Sequence, residues 1–159
     1  MDALNTEEMD VDWLILADAA QVTGNKLFIL GGGWDRLIVN QLPVNRHMAV
    51  AAAFRVPWHE TNQRHSFEIE LQDEDGGKTA ALTGQFEVGR PVGLPVGQSQ
   101  RTQIALDLSA RIGGLGTYVV LARLNGIEKK RITFNVIRDP AAQLQREVEE
   151  RGPATEQAS

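Results

Sequence analysis

Residues 117–137 read TYVVLARLNGIEKKRITFNVI. Two runs of alternating apolar side chains flank Asn125-Gly126, a dipeptide that supplies both positive φ angles of a two-residue type I′ hairpin turn. Before the turn Tyr118, Val120, Ala122 and Leu124 fall on one face. After it Ile132, Phe134 and Val136 fall on one face, against Arg131, Thr133 and Asn135. One buried face and one wet face is the signature of antiparallel strands covering a core.

The same period recurs outward from this hairpin. In residues 66–72, Phe67, Ile69 and Leu71 oppose Ser66, Glu68, Glu70 and Gln72. The acidic turn Asp73-Glu74-Asp75-Gly76-Gly77 leads into residues 78–88, with Ala80, Leu82 and Phe86 as core positions. Residues 99–108 carry Ile104, Leu106 and Leu108 in phase. Residues 13–20 and 26–30 read as strands around Thr23-Gly24-Asn25-Lys26, a cluster that tolerates φ > 0. Gly31, Gly32 and Gly33 then require a bulge or a sharp change of direction before residues 34–39 resume the pattern.

Residues 41–46 read as a loop carrying Pro43. Residues 47–56 are apolar on both faces and end at Pro57, which reads as an interior strand, and residues 58–64 as a polar loop. Residues 89–98, GRPVGLPVGQ, cannot sit inside a central strand and read as an extended crossover between two sheets. The triplet Pro-Val-Gly recurs there, but is too short to predict a structural repeat. Asp139 can cap a helix with Pro140 in its first turn, and Gly152-Pro153 ends it. The fold predicted is all-β: a two-layer antiparallel β-sandwich, immunoglobulin-like or C2-like, with a short C-terminal helix; a small barrel is the alternative. The chain divides into a flexible acidic start (1–10), a sandwich domain (11–138), a short amphipathic helix (139–151) and a disordered polar tail (152–159).

Composition narrows the function classes. The 159 residues are 42% apolar and 23% charged, with a formal net charge of −5 and no cysteine. A chain of this size buries about 68–70% of its unfolded surface and needs no metal or disulfide to hold a core. The acidic balance argues against nucleic acid as a partner. Lys129-Lys130-Arg131 is more often a solvated strand edge than a phosphate-binding patch. Without cysteine there is no thiolate catalysis and no zinc–thiolate site. The first ten residues lack the basic start and apolar run of a secretory leader, and no apolar stretch approaches the ~20 residues of a spanning helix. No membrane insertion and a cytoplasmic location are therefore expected.

Candidates for chemistry are few. His59, Glu60 and His65 could bind a divalent ion, but the histidines stand six apart and Pro57 argues against a helix, so a polar loop that happens to hold them is the commoner reading. Asp73 and Asp75 resemble one end of a calcium loop, yet the rest of the twelve-residue pattern is missing, and a tight acidic turn of the I′ kind is the commoner reading. The three glycines carry neither a GxGxxG pattern nor a following Lys-Ser/Thr, and no Gly-x-Ser-x-Gly elbow occurs. Asp18, Asp35 and Glu87, if buried, would need partners such as Arg36 or Arg90. No catalytic residue and no cofactor is expected. Anchors for a partner are better represented: Trp34, Trp58 and Arg90, the crossover residues Pro91, Leu94 and Pro95, and Leu144 and Val148, which form one narrow stripe on the helix. Each tryptophan is also a frequent sandwich core residue.

Four short stretches taken together carry a resemblance: Ala17-Asp18-Ala19-Ala20, Leu30-Gly31-Gly32-Gly33-Trp34-Asp35, Pro57-Trp58 with His65, and Phe86-Glu87-Val88-Gly89-Arg90-Pro91. The chain resembles, over residues 12–137, a family of small bacterial β-sandwich-like proteins of unknown function. The resemblance implies the fold and brings no activity or site residue. The function expected is a non-enzymatic protein-binding or assembly module, with an unidentified protein partner or a homo-oligomer. The alternatives are a zinc or calcium site in the loops that hold His65 or Asp73, and a structural subunit of a larger particle.

Overall fold

The computed structural model describes residues 7–152. The expectations for residues 1–6 and 153–159 lie outside the described residues. The strands are β1 (Asp10–Thr23), β2 (Lys26–Gly32), β3 (Arg36–Val39), β4 (Val44–Val56), β5 (Arg64–Gln72), β6 (Lys78–Glu87), β7 (Gln100–Ile112), β8 (Gly116–Leu124) and β9 (Ile127–Arg138); the helix α1 (Pro140–Arg151) follows. They form two sheets, in the orders β2-β1-β4-β7 and β3-β9-β8-β5-β6. The two sheets pack face to face as the alternating pattern requires, and residues 89–98 cross between them as expected.

One pair departs from the antiparallel reading: β3 lies parallel to β9, with Leu37 opposite Val136. The cause is the triple glycine. Gly31 and Gly33 adopt φ of 59° and 80°, and the chain leaves the first sheet there instead of turning back on itself. It enters the second sheet running the same way as β9, where Asp35 O and Val39 O accept from Asn135 N and Asp139 N at 2.8 and 3.0 Å. Strand ends also differ from the sequence reading: β4 starts at Val44 and β7 runs on to Ile112.

The core lies between the sheets. Phe54 packs on Phe67 and Phe86 with ring centroids 5.7 and 5.1 Å away, and Tyr118 stacks on Phe134 at 5.4 Å. Full burial of a side chain such as Phe54 or Phe134 contributes about 1.5–3 kcal/mol. β4 is the interior strand expected of residues 47–56. Its even-numbered side chains, Met48, Val50, Ala52 and Phe54, enter the core, and its odd-numbered alanines are also fully buried.

The outward alanines are covered by the β1–β2 hairpin. Residues 10–17 of β1 pair with β4; residues 17–23 pair with β2 and no longer with β4. Gly24 and Asn25 form its turn, both with positive φ, at 58° and 61°. The tip reaches β7, two strands beyond β1 in the sheet order, where Gln103 Nε2 donates to Asn25 O at 2.9 Å. The hairpin therefore folds back as an arm across the outward face of its own sheet. Ala17, Ala49, Ala51 and Ala53, all 0% exposed, form the floor beneath it. Small side chains are what let a second layer of backbone approach. Along the arm, half-buried Ala20, Val22, Leu27 and Ile29 alternate with exposed Ala19, Gln21, Phe28 and Leu30.

Candidate functional site

His65 starts β5 and is buried. Its surroundings are built from three segments. Asn125, in the left-handed region at φ 49°, accepts from Ser66 N through Oδ1 at 2.9 Å. That orientation turns Asn125 Nδ2 toward His65 Nδ1, 3.1 Å away, so Nδ1 accepts. Nε2 then carries the proton and donates to Glu60 O at 2.7 Å. Both ring nitrogens are engaged by the fold. Glu60 Oε2 lies 3.8 Å from Nε2, and half-exposed His59 lies 3.7 Å from Glu60 Oε1. Among the described residues no group of three or more His, Asp or Glu side chains is arranged to hold a metal.

The acidic turn is built around its first residue. Asp73 Oδ1 accepts from Asp75 N at 3.0 Å and from Gly77 N at 2.8 Å, and Gly76 alone has positive φ, at 82°. One positive φ excludes the type I′ geometry expected for these residues; the turn is an Asx-stabilised loop closed by a left-handed glycine. Asp75 is exposed. Asp18, Asp35 and Glu87 are exposed as well, so none is a buried acid in need of a partner.

Two of the candidate anchors meet each other. Arg90 lies over the Trp58 ring, 4.0 Å from its centroid, and donates to Thr61 Oγ1 and Trp58 O at 2.6 and 3.0 Å. This cation–π contact ties the crossover to the loop after β4. Beyond it, Leu94 N donates to Pro91 O at 3.2 Å and Gln98 N to Pro95 O at 3.1 Å, while Gly93 and Gly97 have φ of 93° and 86°. The two Pro-Val-Gly triplets are thus consecutive turns of one type, a local recurrence and not a structural repeat. Pro91 and Pro95 are exposed and Leu94 is half-buried. Trp34 is half-buried and packs against the core, edge-on to Phe134 at 5.5 Å. Leu144 and Val148 stay exposed, so the stripe of α1 does not dock on the sandwich.

Charged side chains work as struts across strands. Asp12 on β1 binds Arg55 of β4 through both oxygens at 2.9 Å and Arg101 of β7 at 3.0 Å. Burial pushes the Asp12 carboxyl up, but the bonds from the two guanidinium groups outweigh it and hold the carboxyl below its usual value. Buried Glu70 is balanced the same way: burial raises it, and Gln72, Lys78 and Arg123 together lower it. Arg123 also binds Glu68.

The sequence reading missed the outer face of the arm. Phe28 and Leu30 are 58% and 73% exposed, beside an apolar depression of 560 Å³ that also touches Ala19 and Gln21. It also missed Val92 and Val96, which cap the tandem turns almost fully exposed. The signal was present in the alternation of residues 26–30, which sets Lys26, Phe28 and Leu30 on one face. No helix among the described residues is long and apolar enough to cross a membrane.

Residues 12–137 match the model of a family of unknown function, DUF6941, and the chain belongs to that family. No curated protein matches the sequence.

Proposed function

We propose that the protein is a non-enzymatic binding or assembly module that acts through apolar surface outside its core. The observation that carries this reading is the arm, which exposes Phe28 and Leu30 side by side on a face already braced from below. Large apolar side chains grouped on a rigid element are the usual anchors of a protein partner. The reactive side chains support the same reading from the other direction: His65, Asp12 and Glu70 are committed to holding strands and loops. In immunoglobulin-like and C2-like sandwiches, to which we compare the fold, contacts are likewise made by loops and edges. A cytoplasmic location fits the absence of cysteine.

Affinity capture from the native host, comparing the wild type with Phe28→Ser/Leu30→Ser, tests the reading. A specific partner, or self-association, that the double variant loses is the expected result. A wild type that stays monomeric and captures nothing contradicts it. A metal site at His59, Glu60 and His65 is separated by titration with zinc or calcium. Saturation at a hundredfold over Kd adds about 2.7 kcal/mol to a native-state binder. A thermal shift of that size in the wild type, absent in His65→Ala, would turn the reading to a metal site. Ordered particles in electron micrographs would turn it to a structural subunit.

A further inference from the structure

Asn125-Gly126 carries a chemistry that the hairpin turn does not use. It is the one Asn-Gly pair in the 159 residues. A backbone amide that follows asparagine can attack the side-chain carboxamide, and glycine, without a Cβ, obstructs that attack least. Both residues are exposed, and Gly126 N–H makes no hydrogen bond within the described residues. The attacking nitrogen is therefore free. A depression of 240 Å³, lined in part by His59, Glu60, Asn125 and Lys129, opens the turn to water. The carboxamide, by contrast, is held at both ends. Oδ1 accepts from Ser66 N at 2.9 Å and Nδ2 donates to His65 Nδ1 at 3.1 Å, so both atoms face β5. His65 cannot follow a moving carboxamide: its side chain is 3% exposed, and Nε2 is tied to Glu60 O.

We propose that Asn125 is a site of spontaneous deamidation, and that His65 and Ser66 set its rate by holding the carboxamide against β5. The step is intramolecular. Gly126 N bonds to Asn125 Cγ, the Cγ–Nδ2 bond breaks, and Nδ2 leaves as ammonia with the proton that Gly126 N gives up. Water then opens the remaining five-membered succinimide at either carbonyl. One opening leaves aspartate at position 125. The other leaves isoaspartate, with the main chain running through the former side chain. Ring closure turns the carboxamide toward its own turn and breaks both bonds to β5. The folded protein therefore reacts only from the fraction of molecules in which the turn has opened.

Both products act on the contacts that restrained the reaction. An aspartate carboxylate only accepts. One oxygen keeps the Ser66 amide, and the other meets the lone pair of His65 Nδ1, acceptor against acceptor. Isoaspartate lengthens the main chain inside a two-residue turn whose flanking pair is Leu124–Ile127. Either product loosens the β8–β9 turn and the hold of that turn on His65.

Peptide mass spectrometry during storage in mildly alkaline buffer tests the proposal. Trypsin releases residues 124–129, LNGIEK, as one peptide. In the folded wild type this peptide is expected to show the mass change of NH2 replaced by OH, split between aspartate and isoaspartate forms. The chain unfolded in guanidinium is expected to react about tenfold faster or more, because no opening precedes the attack. His65→Phe keeps a ring beside Phe86 and removes the acceptor for Nδ2. It is expected to react at a rate between the two, with melting curves confirming that it folds. Equal rates in the folded and unfolded wild type overturn the restraint, as does a folded His65→Phe that reacts no faster than the wild type. A folded wild type whose peptide keeps its mass while the unfolded chain converts completely overturns Asn125 as a site of modification in the native protein. If His65→Phe does not fold, the two states of the wild type still decide.

Discussion

Asn125 combines three roles in one side chain and one backbone conformation. It takes the left-handed φ that the β8–β9 turn needs, it accepts from Ser66 N, and it donates to the buried ring of His65. Alanine tolerates that φ poorly and leaves the Ser66 amide and His65 Nδ1 without partners, so Asn125→Ala is expected to cost about 1–3 kcal/mol. Urea unfolding measures it; a midpoint equal to that of the wild type would contradict this role. Asp12 makes a prediction in pH. Its carboxyl titrates below its ordinary value of 3.8 in the folded state. The stability it adds is therefore complete above that value and is lost as the pH falls through the folded one. Asp12→Asn is expected to be less stable at neutral pH and to show a shallower loss below about pH 4. Equal acid limbs in the two proteins would show that Asp12 is not linked to folding.

At the scale of elements, β4 and the arm explain each other. β4 can be buried on both faces because alanine occupies every second position from Ala49 to Ala53, and the arm can lie flat because nothing larger stands beneath it. Ala51→Leu is expected to destabilise by about 1–3 kcal/mol through overpacking. It is also expected to speed amide hydrogen exchange along β2, and unchanged exchange there would mean that the arm does not rest on Ala51. Gly84→Ala probes the opposite sheet, since a new methyl there would meet the Phe67 ring at 2.5 Å. A cost of similar size is expected, measured by thermal unfolding, and a neutral result would mean the ring has room to shift. These elements also mark what sequence patterning could reach. The 117–137 hairpin, the interior strand and the crossover were legible because turn chemistry, composition and proline act locally. The parallel β3 was not, because four residues carry no orientation. The arm's fold-back was not, because alternation looks the same whether a strand faces the core or the back of its own sheet. The His65–Asn125 contact joins residues distant in sequence and left no local mark.

For the molecule as a whole, the proposed binding surface depends on where the arm lies. Folded down, it hides the Leu27 and Ile29 side chains in part, exposes Phe28 and Leu30, and is tied to β7 at its tip. Swung out, it would uncover the alanine floor and present a loose hairpin, which is marginal on its own in water. The chain has no cysteine, so Thr23→Cys offers a single site for a nitroxide near the arm tip. Paramagnetic broadening of backbone amides is then the direct measurement. Strong broadening of Gln103 and Ala105 in β7 is the expected result; sharp β7 signals, with broadening confined to the hairpin itself, would contradict the folded-back arm and the surface built on it.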